Sequence, residues 1–143
     1  MCRGRPVPVF LNRVTILLAA LSLVLAACSG GETAAPAGKG QVATGQALFE
    51  RVVLGPHAAP GCITCHSREP GVTLIGPSLA GIAARAASNM PAKSVEEYLL
   101  ESIVDPNAAV VQGFAPGIMY PRYGDDLSSQ EVNDLVAYLL TLK

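Results

Sequence analysis

Apolar residues recur at helical spacing in four segments of the chain, and no segment alternates convincingly between apolar and polar residues. Thr44 is a candidate N-cap for a first helix that extends to about Leu54. A second, shorter helix is predicted over residues 78–87, directly after Gly76-Pro77. These helices, together with the absence of alternating strand patterns, predict an all-α domain.

Two capping boxes predict the remaining helices. Ser94 and Glu97 begin a helix that Asp105-Pro106 ends, and Ser128 and Glu131 begin another that runs to the end of the chain. The apolar stripes of these two helices are Val95, Tyr98, Leu99 and Ile103, and then Val132, Leu135, Val136, Leu139 and Leu140. About four helices are therefore expected, joined by long loops.

A different apolar pattern lies near the start of the chain. Twelve of the fourteen residues from Val14 to Ala27 are apolar, and the basic residues Arg3, Arg5 and Arg13 precede them. Fourteen helical residues rise about 21 Å, short of the roughly 30 Å of a bilayer's hydrocarbon core. The order of charge and apolar run is typical of a secretory signal rather than of a spanning helix.

The end of this run resembles the lipobox of bacterial lipoproteins, in the residues Leu25-Ala26-Ala27-Cys28. That resemblance implies that Cys28 is acylated and becomes the first residue of the mature protein, which would then be held to a membrane by its lipid. The alternative is an ordinary signal peptide with Cys28 as a bystander. The predicted organisation is a signal peptide over 1–27, a lipidated Cys and flexible linker over 28–44, and a domain over 45–143.

Charge changes the picture once the signal is removed. The chain has a formal net charge of −1, and loss of residues 1–27 removes three of its ten basic residues and no acidic one, which leaves about −4. An acidic domain is a poor candidate for binding nucleic acid. The length of 143 residues leaves room for a single domain of ordinary size.

The candidate chemistry lies in the run Cys62-Ile63-Thr64-Cys65-His66. A C-x-x-C pair followed directly by His is the attachment signature of c-type haem. Two thiols three positions apart on a helical turn can form thioethers with the two vinyl groups of the porphyrin, and His66 is then the proximal iron ligand. One covalently bound haem c per chain is the predicted cofactor.

Three other interpretations of this run fit the sequence less well. A thioredoxin-like redox pair would need a βαβ pattern around it, which the sequence lacks. A zinc site would need Cys62, Cys65, His66 and His57, although adjacent Cys and His side chains rarely point at one metal. A chance occurrence in a loop is the third. His57 itself, between two prolines, is expected to be a solvated loop residue.

The chain resembles the class I cytochromes c over nearly all of residues 45–143. The resemblance rests on Gly45 and Phe49, the run from Cys62 to His66, Gly76-Pro77, a loop methionine and an aromatic residue on the last helix. It is similar in particular to small bacterial cytochromes and to the cytochrome c domain of oxidase subunit II. The resemblance implies that the first and last helices cross closely and that the Pro77 carbonyl accepts the Nδ1 proton of His66.

The resemblance also implies a methionine as the distal iron ligand, on the loop before the last helix. Met119 fits that place better than Met90, and an open sixth position is the remaining alternative. The sequence departs from the family pattern in two places. Tyr120 separates Met119 from Pro121, where the family usually continues Met-Pro, and the segment between Phe49 and Cys62 is longer than usual.

Further haem contacts are expected by analogy with the family. Arg85 is a candidate partner for a haem carboxylate, since a buried carboxylate needs a partner, and a solvated arginine on a short helix is the alternative. The apolar candidates for the haem lining are Leu79, Ile82, Val111 and Phe114, with core packing away from the haem as the alternative for each.

These features predict a single-electron carrier rather than an enzyme, anchored by lipid on the extracytoplasmic side of a membrane, in the periplasm or on the outer face of the cell membrane. Its expected partners are electron donor and acceptor proteins, such as a terminal oxidase or another respiratory complex, and not nucleic acid. The alternative function is a haem sensor or peroxidase-like protein with an open or labile sixth coordination site.

Overall fold

The computed structural model describes residues 39–89 and 92–143, and this part of the chain is mostly helical, as predicted. Cys28, Met90 and the predicted signal peptide lie outside the described residues. The elements are α1 (Val42–Phe49), β1 (Val53–Leu54), β2 (Ala59–Pro60), α2 (Cys62–Cys65), α3 (Ile82–Asn89), α4 (Val95–Val104), α5 (Tyr123–Asp126) and α6 (Ser129–Leu139). No helix in the described ranges is long and apolar enough to cross a membrane.

Helix α1 begins earlier than the sequence predicts. Its first residue is Val42 and its N-cap is Gln41, so Thr44 lies inside the helix rather than at its cap, and the segment predicted as linker supplies the first turn. The Gln41 amide donates to the Asp134 side chain at 2.7 Å, and this bond from the last helix satisfies one of the free amides of the helix start. The start of α1 therefore has a long-range bond to the Gln41 amide and no side-chain cap.

Helices α1 and α6 cross at very short range. A Cβ atom at Gly45 would overlap the main chain of Asp134 and lie 2.9 Å from the Cβ atom of Tyr138, so only glycine allows this approach. The rings of Phe49 and Tyr138 pack with centroids 5.4 Å apart. The guanidinium of Arg68 donates to the Tyr138 hydroxyl at 3.0 Å and lies over the Phe49 ring. The crossing fixes the two ends of the domain against each other.

A short hairpin follows α1, where the sequence predicts a continued helix and no strands. Helix α1 ends at Phe49, and Val53 pairs with Pro60 and Leu54 with Ala59 in an antiparallel ladder. Its turn takes two residues with positive φ, Gly55 at 63° and Ala58 at 55°. Leu54 and Ala59 are buried. Burial of this cross-strand pair against the core favours the hairpin over the continued helix that the apolar spacing predicts.

Helix α3 begins four residues later than predicted, at Ile82 rather than Ser78. The intervening residues form a turn in which Gly81 has a φ of 67°. The Arg85 guanidinium donates to the carbonyls of Ser78, at 2.7 Å, and Ala80. These side-chain bonds hold the turn and keep residues 78–81 out of the helix.

Both predicted capping boxes are confirmed. The Ser94 and Ser128 hydroxyls accept from the amides of Glu97 and Glu131, and each glutamate side chain accepts from the amide of its serine. Helix α4 ends at Val104 with Asp105 as its C-cap, as predicted, whereas α6 ends at Leu139, before the end of the chain. Local side-chain bonds determine where these helices begin.

The Ser94 capping box gives a testable pH dependence. Hydrogen bonds from the Ser94 amide and hydroxyl hold the pKa of Glu97 below its ordinary value of 4.5. The ionised carboxylate therefore stabilises the folded state above pH 4.5, and this stabilisation is lost as the pH falls through the lowered pKa. Ser94→Ala should lower the unfolding free energy by about 1 kcal/mol at pH 7, and by less at pH 3. Thermal unfolding of the haem-loaded protein at both values measures this.

Glu97→Gln is the matched control for this experiment. A glutamine can still accept from the Ser94 amide but does not titrate. We expect its stability to fall less between pH 7 and pH 3 than that of the wild type. An equal fall in both proteins would mean that Glu97 does not contribute to the acid sensitivity.

Candidate functional site

An apolar cavity in the described residues has a volume of about 400 Å³ and lies between α2, α4, α6 and the loops around residues 75–79 and 106–121. This volume is within the roughly 300–1,000 Å³ of small-molecule and cofactor sites. The lining is mostly apolar, and among the described residues it contains no Asp, Glu, Lys or Arg. Its candidate ligating groups are Cys62, Cys65, His66 and Met119.

Helix α2 presents two of these groups. It is a single turn from Cys62 to Cys65, closed by a hydrogen bond of 2.9 Å from the His66 amide to the Cys62 carbonyl. The two thiols are free, partly buried, and both line the cavity. Burial, with a smaller effect of the neighbouring Cys65, raises the pKa of Cys62 to about 11, so the thiol is neutral at pH 7. The turn therefore brings both thiols to one wall of the cavity.

His66 is held in one orientation beside them. Its Nδ1–H donates to the Pro77 carbonyl at 2.8 Å. Burial lowers the pKa of His66, and the bond to Pro77 opposes that effect in part, so the ring is neutral at pH 7. Because Nδ1 carries the proton, Nε2 has a free lone pair, which is the form that binds a metal.

Gly76 makes room for this imidazole. A Cβ atom there would lie 2.5 Å from Cε1 and 2.8 Å from Nδ1 of His66. The Gly76 amide donates to the Cys65 carbonyl at 2.8 Å, which ties the loop to α2. The glycine therefore lets the loop that carries Pro77 pack directly on the ring.

We expect Gly76→Ala to displace the His66 ring and to weaken its bond to Pro77. Overpacking of this kind costs about 1–3 kcal/mol of stability. The haem-loaded variant should also show a changed iron spectrum, because the ring that moves is the predicted ligand. Gly71→Asn is the control, since Gly71 has nothing within 4 Å of a Cβ atom and asparagine tolerates its φ of 74°. An unchanged spectrum and stability in Gly76→Ala would refute this account.

The structure brings most of the other predicted site residues to the same cavity. Met119 is partly buried and lines it, on the loop that precedes α5. The predicted apolar contacts also line it, namely Leu79, Ile82, Val111 and Phe114. Pro77 lines the cavity in addition to accepting the His66 bond.

Arg85 is the exception. It does not line the cavity, its side chain is exposed, and its guanidinium is bound to the carbonyls of Ser78 and Ala80. The structure therefore does not bring Arg85 into the candidate site, and the expected pairing with a haem carboxylate gains no support from its position. The turn that redirects Arg85 depends on the positive φ of Gly81.

His57 has a different environment from the one the sequence predicts. Its Nδ1–H donates to the buried carboxylate of Asp126 at 2.6 Å, although more than half of the His57 side chain is exposed. Sequence reasoning missed Asp126, which is 69 positions away. The described residues contain no cluster of three or more His, Cys, Asp or Glu side chains able to hold a metal ion, so the zinc alternative is not supported.

Three tyrosines of the cavity wall were also missed, namely Tyr98, Tyr120 and Tyr123. The Tyr123 hydroxyl donates to the Pro60 carbonyl at 2.5 Å, and burial raises the pKa of Tyr123. Tyr120 and Tyr123 meet edge to face, with centroids 5.1 Å apart. In the sequence, Tyr98 is noted only as a member of an apolar stripe and Tyr120 only as the residue between Met119 and Pro121, and no pattern points to Tyr123.

The Cytochrome c family model matches residues 42–143 of the chain, which include every element of the fold and every residue of the cavity. The chain belongs to the cytochrome c family. It has no match among curated proteins. Cytochromes c bind haem c covalently, typically one per domain, so the chain is an electron-carrying haem protein.

The residues of this cytochrome fit haem c. The group needs two thiols on one turn, a neutral imidazole with a free nitrogen, and an apolar space of cofactor size. The cavity offers Cys62 and Cys65, His66 with Nδ1 already bonded, and a wall of apolar side chains. These are also the residues that the sequence singles out.

Proposed function

We propose that the protein is a membrane-anchored monohaem cytochrome c that carries single electrons between respiratory redox proteins outside the cytoplasm. The haem iron supplies the chemistry, a one-electron cycle between Fe(II) and Fe(III). The observation that carries the proposal is the joint presence of Cys62, Cys65, His66 and Met119 on the wall of one apolar cavity.

Cys62 and Cys65 hold the cofactor permanently in this proposal. A thioether on each sulfur makes the haem part of the chain, which matters for a protein outside the cytoplasm because a dissociated cofactor would be lost by dilution. The two cysteines are spaced by one helical turn, and His66 directly follows them. Attachment therefore also sets where the imidazole lies.

His66 and Met119 are proposed as the two side chains that would ligate the haem iron. The Pro77 carbonyl keeps the His66 proton on Nδ1 and makes Nε2 a stronger donor. The Met119 thioether is a soft, neutral ligand that favours ferrous iron and gives a higher potential than a second histidine. With both positions filled, no site remains for a substrate, which suits a carrier rather than a sensor or a peroxidase.

The membrane anchor is supported by the sequence alone. The apolar run after three arginines and the Leu25-Ala26-Ala27-Cys28 motif support acylation of Cys28, and the segment after it is rich in small residues. An acidic mature protein, with a net charge of about −4, would favour partners with basic docking surfaces. Electron-transfer rates that fall with rising ionic strength would support docking on basic surfaces.

Absorption spectra of the haem-loaded protein test the ligation. We expect a low-spin, six-coordinate spectrum, a sulfur-to-iron charge-transfer band in the oxidised form, and no shift when carbon monoxide is added to the reduced form. Met119→Leu should lose the band and bind carbon monoxide, at a packing cost below about 1.5 kcal/mol.

Met90→Leu is the matched control, because it makes the same substitution at the other methionine of the proposed mature protein. It should keep the band and resist carbon monoxide. Loss of the band in Met90→Leu instead of Met119→Leu would exchange the two assignments. A wild-type protein that is high-spin and binds carbon monoxide would favour the sensor or peroxidase-like alternative.

A further inference from the structure

A buried carboxylate links the hairpin to the loop that carries Met119. No part of the Asp126 side chain is exposed, and both of its oxygens are used. Oδ1 accepts from His57 Nδ1 at 2.6 Å, and Oδ2 accepts from the Tyr120 hydroxyl at 2.7 Å. These bonds, the one from Tyr120 above all, lower the pKa of Asp126, so the group is ionised at pH 7.

The hairpin packs on Asp126 through its backbone as well. A Cβ atom at Gly55 would lie 2.7 Å from the Asp126 carbonyl oxygen, and the same turn carries His57. The Tyr123 hydroxyl adds a second bond between α5 and the hairpin, to Pro60. His57 therefore meets Asp126 from a firmly seated turn, although its own side chain is largely exposed.

Tyr120 directly follows Met119 and lines the same cavity. The loop is tied at Gly117, whose amide donates to the Asn107 side chain at 2.7 Å, and at Arg122, whose carbonyl accepts from amides of α5. Between these ties, the described residues offer a single hydrogen bond to residues 118–121, the one that Tyr120 donates to Asp126. Beside the packing of Tyr120 on Tyr123, the Tyr120 hydroxyl is therefore the hydrogen-bonded anchor next to Met119.

We infer that His57, Asp126 and Tyr120 form a network that positions Met119 at the iron and keeps competing ligands from displacing it. Asp126 holds the Tyr120 hydroxyl, and His57 fixes the carboxylate from the hairpin. None of the three ligates the iron; they are positioning residues. The inference rests on the proposed ligation by Met119 and adds a reason why that ligand stays bound.

Competition by imidazole measures the hold on Met119 directly. Added imidazole binds the oxidised iron only where the methionine sulfur has left it, so its apparent affinity reports how firmly Met119 is held. Tyr120→Phe removes the hydrogen bond to a charged acceptor, and we expect the apparent imidazole affinity to rise about tenfold. His57→Ala, a mostly exposed site, should raise it about threefold and should not endanger folding.

Tyr138→Phe is the control for stability alone. It also removes the hydroxyl of a buried tyrosine that takes part in a hydrogen bond, but its partner is Arg68 and it does not line the cavity. We expect it to lower the melting temperature and to leave the imidazole affinity unchanged. Asp126→Asn keeps an acceptor for the Tyr120 hydroxyl. Its apparent imidazole affinity should lie between those of the wild type and of Tyr120→Phe.

The outcomes separate this inference from the proposed function. An increase in imidazole affinity in the Tyr120 and His57 variants, without an increase in Tyr138→Phe, supports the network. Equal increases in all three variants, or no increase in any, would overturn it while leaving ligation by Met119 intact. A wild-type protein without the sulfur-to-iron band would instead overturn the proposed ligation, and the inference with it.

Discussion

Replacement of both Cys62 and Cys65 by alanine is expected to abolish covalent haem attachment and to leave the domain largely unfolded. The side chains that line this cavity are mostly apolar, and without haem they would lose the apolar surface that the cofactor buries against them. A domain this small has a limited apolar core of its own, so loss of this surface removes a large share of its stability. Haem staining after denaturing electrophoresis measures attachment, and far-ultraviolet circular dichroism measures the remaining helix.

Cys28→Ala is the matched control for this pair. It changes a cysteine outside the cavity, so the variant should keep its haem and its helical spectrum, and it should leave the membrane fraction if Cys28 is the acylated residue. Haem that stays bound to the double variant under denaturing conditions would contradict attachment through α2. A fully folded double variant without haem would contradict the role of the cofactor in the core.

Gly45→Ala is expected to destabilise the domain by about 3 kcal/mol or more. The added Cβ atom would overlap the main chain of Asp134, and a backbone cannot yield as a flexible side chain can. A domain of this size loses about 4–8 °C of melting temperature per kcal/mol, so a fall of more than about 12 °C is expected. Thermal unfolding of the haem-loaded protein measures it.

Thr44→Ala serves as the neighbour control on the same helix. Thr44 is exposed and lies inside α1, so its replacement by a better helix former should leave stability unchanged or slightly raised. A loss of about 1 kcal/mol in this variant would mean that Thr44 acts as the cap after all. A small effect of Gly45→Ala would mean that α1 and α6 can separate without cost.

The parts of the fold that could be predicted are those governed by neighbours in sequence. The starts of α4 and α6 follow from serine and glutamate three positions apart, and α2 follows from its thiol spacing. The start of α1 could not be predicted, because the group that satisfies its first amide is Asp134, 93 positions away. The sequence pattern around Gln41 does not indicate a partner so far along the chain.

The site shows the same division. The bond from His66 to Pro77, which the family resemblance implies, is present in the structure, and the Cys62 to His66 run forms a single turn beside it. The contacts of His57 and the outward direction of Arg85 could not be read in advance, since each depends on a turn with positive φ. Neither turn produces a periodic pattern of apolar residues from which it could be predicted.

The two departures from the family pattern meet in one place. The long segment between Phe49 and Cys62 is the hairpin that carries His57, and Tyr120 is the residue between Met119 and Pro121. Both side chains bind the same Asp126 carboxylate. The sequence alone assigns no role to either departure. In the structure, each of them donates one hydrogen bond to the same carboxylate.

The crossing of α1 with α6 also has a consequence for the order of events in biosynthesis. The first helix of the domain cannot bury Phe49 until the last one has been made, and contacts between such distant segments form late and slowly. Until α6 has been made, α1 therefore cannot close against it, and the Cys62 to His66 run stays on an open chain. Haem attached at that stage would be enclosed when the two helices close.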